Sequence, residues 1–549
     1  LNIPDLLLTN AKVLTLDNMG RRAGSVAVKN GRIFGIWQEK EPPKSEVTLS
    51  AKTQVINLKG AALLPGFIDT HNHLPMVSML QEQVNCSSPL NQSISDIQEK
   101  LRKKANEIPP GQWILGYGYD DTSLIDGRHP FRADLDVAAP NNPVFIHHIS
   151  GHLAVVNSYA LRVASISDKQ PDPGIGHFGR DHEGNVNGVL YEFGPMEAVH
   201  SHTPTYTIEQ KVSLLKKTVN HYISHGITTN TDAGVGLLKG EEDIEVHLKA
   251  AEQKINPMRM QLMIMHDLLK PGSRFGNYSS EQLNDELQSR GNGLIALDSA
   301  KMFQDGSIQG LTGALREPYH CNPNLYGDLN FEQSVINEEI LDLHNRGYRI
   351  AIHGNGDKAI GSILDGFEFA IQKYPRQNHR HRIEHVQTAT IQDLDRMQKL
   401  GIAGSFFINH VYYWGDRHEK IFLGPNRARR ISPLADAVER EILFTLHSDA
   451  PITPISPLFS IWAAVNRVTR EGGILGPEQR IDVETALKSM TNYGAKLNFD
   501  EDHSGSIELG KRADFAILAA DPTSINPIDI KDIPILGTII GGEVVYWKA

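Results

Sequence analysis

Between residues 61 and 493 the sequence alternates two textures, and this alternation constrains the fold more than any other feature. Short apolar runs at 61–69, 226–232, 258–265, 294–303, 348–353, 381–385, 402–407 and 442–449 each finish on, or within two residues of, polar or ionisable residues. Helix-patterned segments such as 337–346, 358–373 and 391–400 fall between most of them. Eight such runs with intervening helices predict an α/β fold, a parallel sheet closed as a (β/α)8 TIM barrel. The stretch is far longer than the roughly 250 residues of a bare barrel. Its surplus carries a Trp113, Tyr117 and Tyr119 cluster, a strand pattern at 144–149 and Gly/Pro-rich turns at 171–176. We expect an inserted subdomain at about 75–220, at the barrel mouth, shaping the substrate pocket.

The two ends of the chain share a different texture. Residues 1–60 hold brief β-rich runs separated by turn signals such as Asn30-Gly31. The C-terminal stretch repeats it at 515–519 and 538–547, the latter split by Gly541-Gly542. A small β-sandwich formed by both chain termini, 1–60 with 505–549, is therefore expected beside a barrel domain at 61–504.

Composition narrows the function. The net charge is −11, which argues against nucleic acid as the main partner, since that would want a basic face. Cys86 and Cys321 are the only cysteines and provide neither a CxxC zinc pattern nor a disulfide framework. No window of about 18 apolar residues is present, so no membrane span is expected. The start, Leu1-Asn2-Ile3-Pro4-Asp5, lacks the basic and apolar regions of a signal peptide. It also lacks an initiator methionine, which leaves removal of an upstream segment open. The default expectation is a cytoplasmic protein with a small-molecule substrate, and a homodimer is compatible with a barrel of this size.

The 24 histidines direct attention to the strand ends. In Asp69-Thr70-His71-Asn72-His73, side chains at i and i+2 of a strand share a face, so His71 and His73 converge. Two imidazoles at the C-terminal end of a strand suit a divalent metal such as zinc. Later runs end at His353, at His385 within Arg382-Ile383-Glu384-His385, and at Asp449 within His447-Ser448-Asp449-Ala450-Pro451. Each would put a nitrogen or oxygen ligand on the catalytic face of a barrel. Asp449 has the chemistry to ligate a cation and to take a proton from water acidified by it; its bland alternative is a helix cap. Lys301 lies in the run 294–303. Neighbouring cations would depress its pKa, and the neutral amine could then capture carbon dioxide as a metal-bridging carbamate.

These residues resemble the amidohydrolase superfamily, and within it the branch containing N-substituted formamide deformylase, amidohydrolase family 3. The likeness runs over essentially the whole chain. It is carried by Leu64-Pro65-Gly66-Phe67-Ile68-Asp69-Thr70-His71-Asn72-His73 and, in the insertion, by Gly151-His152 through Asn157-Ser158-Tyr159-Ala160-Leu161. Further on it is carried by Lys301-Met302-Phe303-Gln304-Asp305-Gly306-Ser307, Ile352-His353-Gly354-Asn355-Gly356-Asp357, Arg382-Ile383-Glu384-His385 and Ser448-Asp449-Ala450-Pro451. The resemblance implies one or two divalent metal ions, zinc foremost. It implies that His71 and His73 hold the more buried one with Asp449. A carboxylated Lys301 would then bridge to a second metal held by His353 and His385. One departure is His447, where relatives tend to carry a small residue; it could tune the base, touch substrate or fill a gap.

The expected reaction is hydrolysis of a carbon–nitrogen bond of a small molecule, a non-peptide amide, N-formyl or N-acyl group. Metal-activated hydroxide would attack, with Asp449 as general base. His152 is a candidate for binding the substrate oxygen or oxyanion, against a packing role within the insertion. Arg316 is expected in a structural salt bridge rather than on an acidic substrate. Trp113, Tyr117 and Trp414 could line an apolar pocket, though such aromatics are more often core. Deamination and lactone or ester hydrolysis use closely similar ligand sets and stay as alternatives. A non-catalytic, metal-stabilised regulatory or binding protein would lack a ligand or the base, and here none is missing.

Overall fold

Eight apolar runs become the strands of one parallel sheet: β1 (Phe67–Asn72), β2 (Ile227–Val235), β3 (Arg259–Met265), β4 (Ile295–Phe303), β5 (Ile350–Gly354), β6 (Arg382–His385), β7 (Ala403–Phe406) and β8 (Phe444–Leu446). The computed structural model describes residues 3–173 and 176–548; Leu1, Asn2, Ala549 and the Gly174-Ile175 part of the expected turn region lie outside the described residues. Each strand pairs in parallel with the next in chain order. Strands β1 and β2 are buried at every position, as expected of strands covered on both faces. The ring is closed where β8 meets β1. There the Thr70 and Thr445 hydroxyls are 2.7 Å apart, and the Asp449 and His73 amides donate to the carbonyls of His71 and Ala450. Helices Glu242–Glu252, Ser280–Arg290, Gln333–Asn345, Asp357–Lys373 and Ile391–Leu400 follow successive strands, giving the (β/α)8 barrel.

The run 61–69, read as one strand, is two. Ala62–Pro65 pairs antiparallel with Phe515–Leu518, while Phe67–Asn72 enters the barrel. Gly66 lies at the break, where a Cβ would sit 2.1 Å from the Thr228 hydroxyl, so no side chain fits. Ala62–Pro65 belongs to a six-stranded sheet with Lys12–Leu14, Arg22–Ala23, Phe515–Leu518, Ile535–Ile540 and Glu543–Trp547. A four-stranded sheet of Arg32–Trp37, Ser25–Lys29, Leu6–Thr9 and Gln54–Asn57 shares its core. Leu8, Val28, Leu63, Phe515 and Ile539 meet in that core, so both chain ends contribute to it.

Pro75–Leu214 forms a separate compact unit. Its six-stranded sheet runs His177–Arg180, Val186–Tyr191, Leu153–Val156, Val144–His148, Ile114–Tyr119, Val84–Asn85. Alternate residues feed two cores: Val144, Ile146 and Val155 pack in one, and Phe145, Ala154 and Val156 in the other. This is the period-two pattern of a sheet covered on both faces. Among the described residues no helix is long and apolar enough to cross a membrane.

Before β6 lies a buried histidine chain with a predictable consequence. His381 Nδ1 accepts from the Ile350 amide, its Nε2 meets His344 Nδ1 at 2.8 Å, and His344 Nε2 donates to the Tyr374 carbonyl. His379 accepts the His381 amide and donates to the Leu400 carbonyl. Every ring nitrogen is used by a neutral tautomer, leaving no acceptor for another proton. Burial pushes His379 down to about 4 and His381 well below the ordinary imidazole value. The unfolded chain takes up protons near pH 6.5 that the native state refuses, so stability falls as pH drops from there towards 4. We expect His379 to contribute a loss of roughly 2 kcal/mol between pH 7 and 5, and His381 a loss of the same sign. Urea unfolding across that range should show it, with a shallower slope for His381→Asn; an equal slope would refute the assignment.

Candidate metal centre

The barrel's strand ends bring the sequence-nominated side chains of the barrel together. From the end of β1, His71 Nε2 and His73 Nε2 lie 3.3 and 3.2 Å from the same oxygen, Asp449 Oδ1. Asp449 follows β8 with φ of 53°, a left-handed conformation uncommon outside glycine, and His385 at the end of β6 has φ of 77°. Such conformations cluster at functional sites. The His385 ring lies 4.8 Å from that of His71 and 4.5 Å from that of His353, on β5. Lys301, on β4, is fully buried, and its charge acts on His71 and His353.

The electrostatics favour a cation. Burial pushes the Lys301 ammonium down to about 8, despite Glu384 and Asp449 nearby. Burial and the Lys301 charge push His353 down to about 3, and burial takes His385 well below its usual value, so both offer lone pairs at neutral pH. Burial raises the Asp449 carboxyl, but the imidazoles of His71 and His73 that face it outweigh that and hold the group well below the usual carboxylate range. Lys301 Nζ and Asp449 Oδ1 are buried without a hydrogen-bond partner. Two orphaned groups of this kind call for an explanation. A divalent cation beside Asp449 fits: ligand atoms of His71, His73 and Asp449 all lie within 4.8 Å of one another, and the imidazole–carboxylate set suits zinc.

Glu384, Arg382 and Asp298, to which the sequence alone assigns no role, support the centre. Glu384 bonds His71 Nδ1 and Arg382, and Arg382 reaches Asp298 at 2.9 Å, with all four side chains buried. The Glu384 contact fixes the His71 tautomer and leaves Nε2 to face Asp449. Period-two reasoning puts Glu384 and His385 on opposite faces, and the left-handed turn at His385 defeats it. His447 fills no mere gap. Its Nε2 is 3.1 Å from His385 Nδ1, its Nδ1 is 2.8 Å from the Ser405 hydroxyl, and its ring stacks on His71. His353 Nε2 is 2.9 Å from the Gly306 carbonyl and from Asn355.

Of the remaining nominated side chains, Arg316 is held by both oxygens of Asp393, as the salt-bridge expectation has it. Trp414 is buried against His410 and Phe407. Trp113 packs on a core of the Pro75–Leu214 unit. His152, in that same unit, has Nδ1 3.1 Å from Glu192 Oε2 and its ring beside Phe193.

Comparison with known proteins places the chain in a family. The sequence pattern of the amidohydrolase family matches residues 54–546. The N-substituted formamide deformylase of Arthrobacter pascens is 28% identical over 552 residues, covering 99% of this chain and 98% of the relative. A putative amidohydrolase of Bacillus subtilis, YtcJ, is 27% identical, with 98% of each chain covered. The crystal structure of an uncharacterized metal-dependent hydrolase from Pyrococcus furiosus superposes with a TM-score of 0.72 at 25% identity, covering 94% of this chain and 100% of that one. A match spanning every strand end that carries a histidine makes this chain a member of the amidohydrolase family, a metal-dependent hydrolase of carbon–nitrogen bonds other than peptide bonds.

Proposed function

We propose that the protein hydrolyses a non-peptide amide of a small molecule, an N-formyl or N-acyl group foremost, with Asp449 as general base. The observation that carries this reading is the buried Asp449 carboxylate, whose Oδ1 has no hydrogen-bond partner and is faced by two imidazoles 3.3 and 3.2 Å away. His71, His73 and Asp449 would hold one divalent ion, zinc by donor chemistry, and His353 and His385 with a carboxylated Lys301 a second. A divalent cation bound there supplies Lewis acidity, lowering the pKa of a water and polarising the scissile carbonyl. Asp449, ionised at neutral pH, accepts the proton of the attacking water and passes it to the leaving nitrogen. Glu384 keeps His71 in the tautomer that presents Nε2, and His447 braces the His385 and His71 rings. The full-length relationship to a formamide deformylase supports the N-formyl class.

Metal content per chain tests the proposal, measured by plasma mass spectrometry on protein purified without chelator. Lys301→Ala is expected to lose one equivalent of the wild-type's two. Chelation should abolish hydrolysis of N-formyl and N-acyl compounds, and added zinc should restore it. A chain that takes up no metal under any loading condition would sink the reading.

A further inference from the structure

The helix that follows β7, His410–Arg417, begins a buried cluster of rings that the hydrolysis has so far left without a task. His410, Trp414 and His418 recur every fourth residue, so they share one face. Their ring centres lie 4.5 Å (His410 to Trp414) and 5.2 Å (His410 to His418) apart. His418 opens the single π turn His418–Phe422, a feature common at functional sites. The start of this helix is pinned beside the general base. Asn409 donates to the Thr453 hydroxyl at 2.8 Å and accepts from the Ser460 hydroxyl at 2.9 Å. Thr453 in turn donates to the Ser448 carbonyl, one residue before Asp449. The Phe407 ring centre is 4.6 Å from that of His410, 5.3 Å from His447 and 5.7 Å from His385. One ring thus separates His410 from the metal centre, and the Asp449 charge acts on it.

The hydrogen bonding decides which His410 nitrogen carries the proton. His410 Nδ1 is 3.0 Å from His418 Nε2, and His418 Nδ1 is buried without a partner. A buried N–H left without an acceptor is rarer than a buried lone pair left without a donor. His418 therefore keeps its proton on Nε2 and donates to His410 Nδ1, which leaves the His410 proton on Nε2. Burial holds His410 well below the ordinary imidazole value and pushes His418 down to about 3, so both rings are neutral at neutral pH. Among the described residues the His410 ring has no hydrogen bond besides the one to His418. Beside it, Trp414 Nε1 is a second buried donor without an acceptor. Neighbouring donors that no protein acceptor fills call for an explanation, and a ligand oxygen supplies one.

Resting on the hydrolytic reading above, we propose that His410 is a further catalytic residue: its Nε2–H donates a hydrogen bond to the scissile carbonyl oxygen as negative charge develops there. His418 is the positioning residue that sets the His410 tautomer. A neutral imidazole suits this task because it polarises a carbonyl without giving up its proton. In a buried setting such a bond strengthens as the oxygen gains charge.

The test uses full-length, zinc-loaded protein and its best N-formyl or N-acyl substrate. His410→Ala is expected to lower kcat about 10²- to 10³-fold, with KM little changed and the zinc count that of wild type. A phosphonate analogue of the substrate, whose tetrahedral oxyanion copies the intermediate, should bind this variant more weakly in step with kcat. His410→Phe, which keeps a ring and lacks the donor, decides the matter if His410→Ala misfolds by circular dichroism. Nitrogen-15 histidine NMR of the wild type, with the His410 signal assigned by its loss in His410→Phe, should show the proton on Nε2. In His418→Leu that proton should redistribute to Nδ1 and kcat should fall with it. A wild type inactive on both compound classes, yet protonated on Nε2, would remove the hydrolytic reading and this role together. An active wild type with a folded His410→Ala or His410→Phe chain turning over within about threefold of it, or with His410 protonated on Nδ1, would overturn this proposal alone.

Discussion

Asp449→Asn is expected to lower kcat by about 10²- to 10⁴-fold, the usual contribution of a positioned acid–base group. The amide keeps the carboxylate's shape but cannot take a proton from water. Its NH2 would also turn towards His71 or His73, 3.3 and 3.2 Å from Oδ1 in the native arrangement, and occupy a lone pair. Secondary structure should be unaltered, because the Asp449 contact that closes the barrel is its backbone amide on the His71 carbonyl. Steady-state kinetics on the best N-formyl or N-acyl substrate, beside circular dichroism, check this. Turnover within tenfold of wild type would remove Asp449 from the proton path.

The second large effect belongs to Glu384→Gln. The native carboxylate lies between Arg382 and His71, and Arg382 also pairs with Asp298, all of them buried. Burial opposes its charge, but Arg382 and His71 hold it well below the usual carboxylate range. Removing one member of a buried network typically costs about 3–5 kcal/mol, because the partner charges remain where water cannot reach them. We expect a clear drop in thermal midpoint together with a 10- to 100-fold loss of zinc affinity, read by competition with a chromophoric chelator. A lower midpoint with native zinc affinity would make Glu384 a purely structural residue.

The barrel was legible because its parallel strands are buried on both faces and read as continuous apolar runs. The convergence of His71 and His73 followed from strand geometry alone. The break at Gly66 was not legible, because what divides the run is the pairing of Ala62–Pro65 with Phe515–Leu518, distant in sequence. Glu384 was hidden by the backbone: alternation along β6 predicts the opposite face, and only the left-handed turn at His385 reverses it. His447 stood out as a departure from relatives, yet its hydrogen bonds to Ser405 and His385 depend on the packing of β6, β7 and β8.

The shared terminal sheet places a demand on the making of the protein. Ala62–Pro65, one residue before the strand that carries His71, has Lys12–Leu14 on one side and Phe515–Leu518 on the other. During translation its second neighbour emerges only after the whole barrel has been made. Until then the nascent polypeptide presents an unpaired strand edge, the kind of surface that chaperones cover and that self-associates when they do not. A premature stop codon just before Phe515 would spare every candidate barrel ligand, and still leave the metal centre suspended from an open sheet.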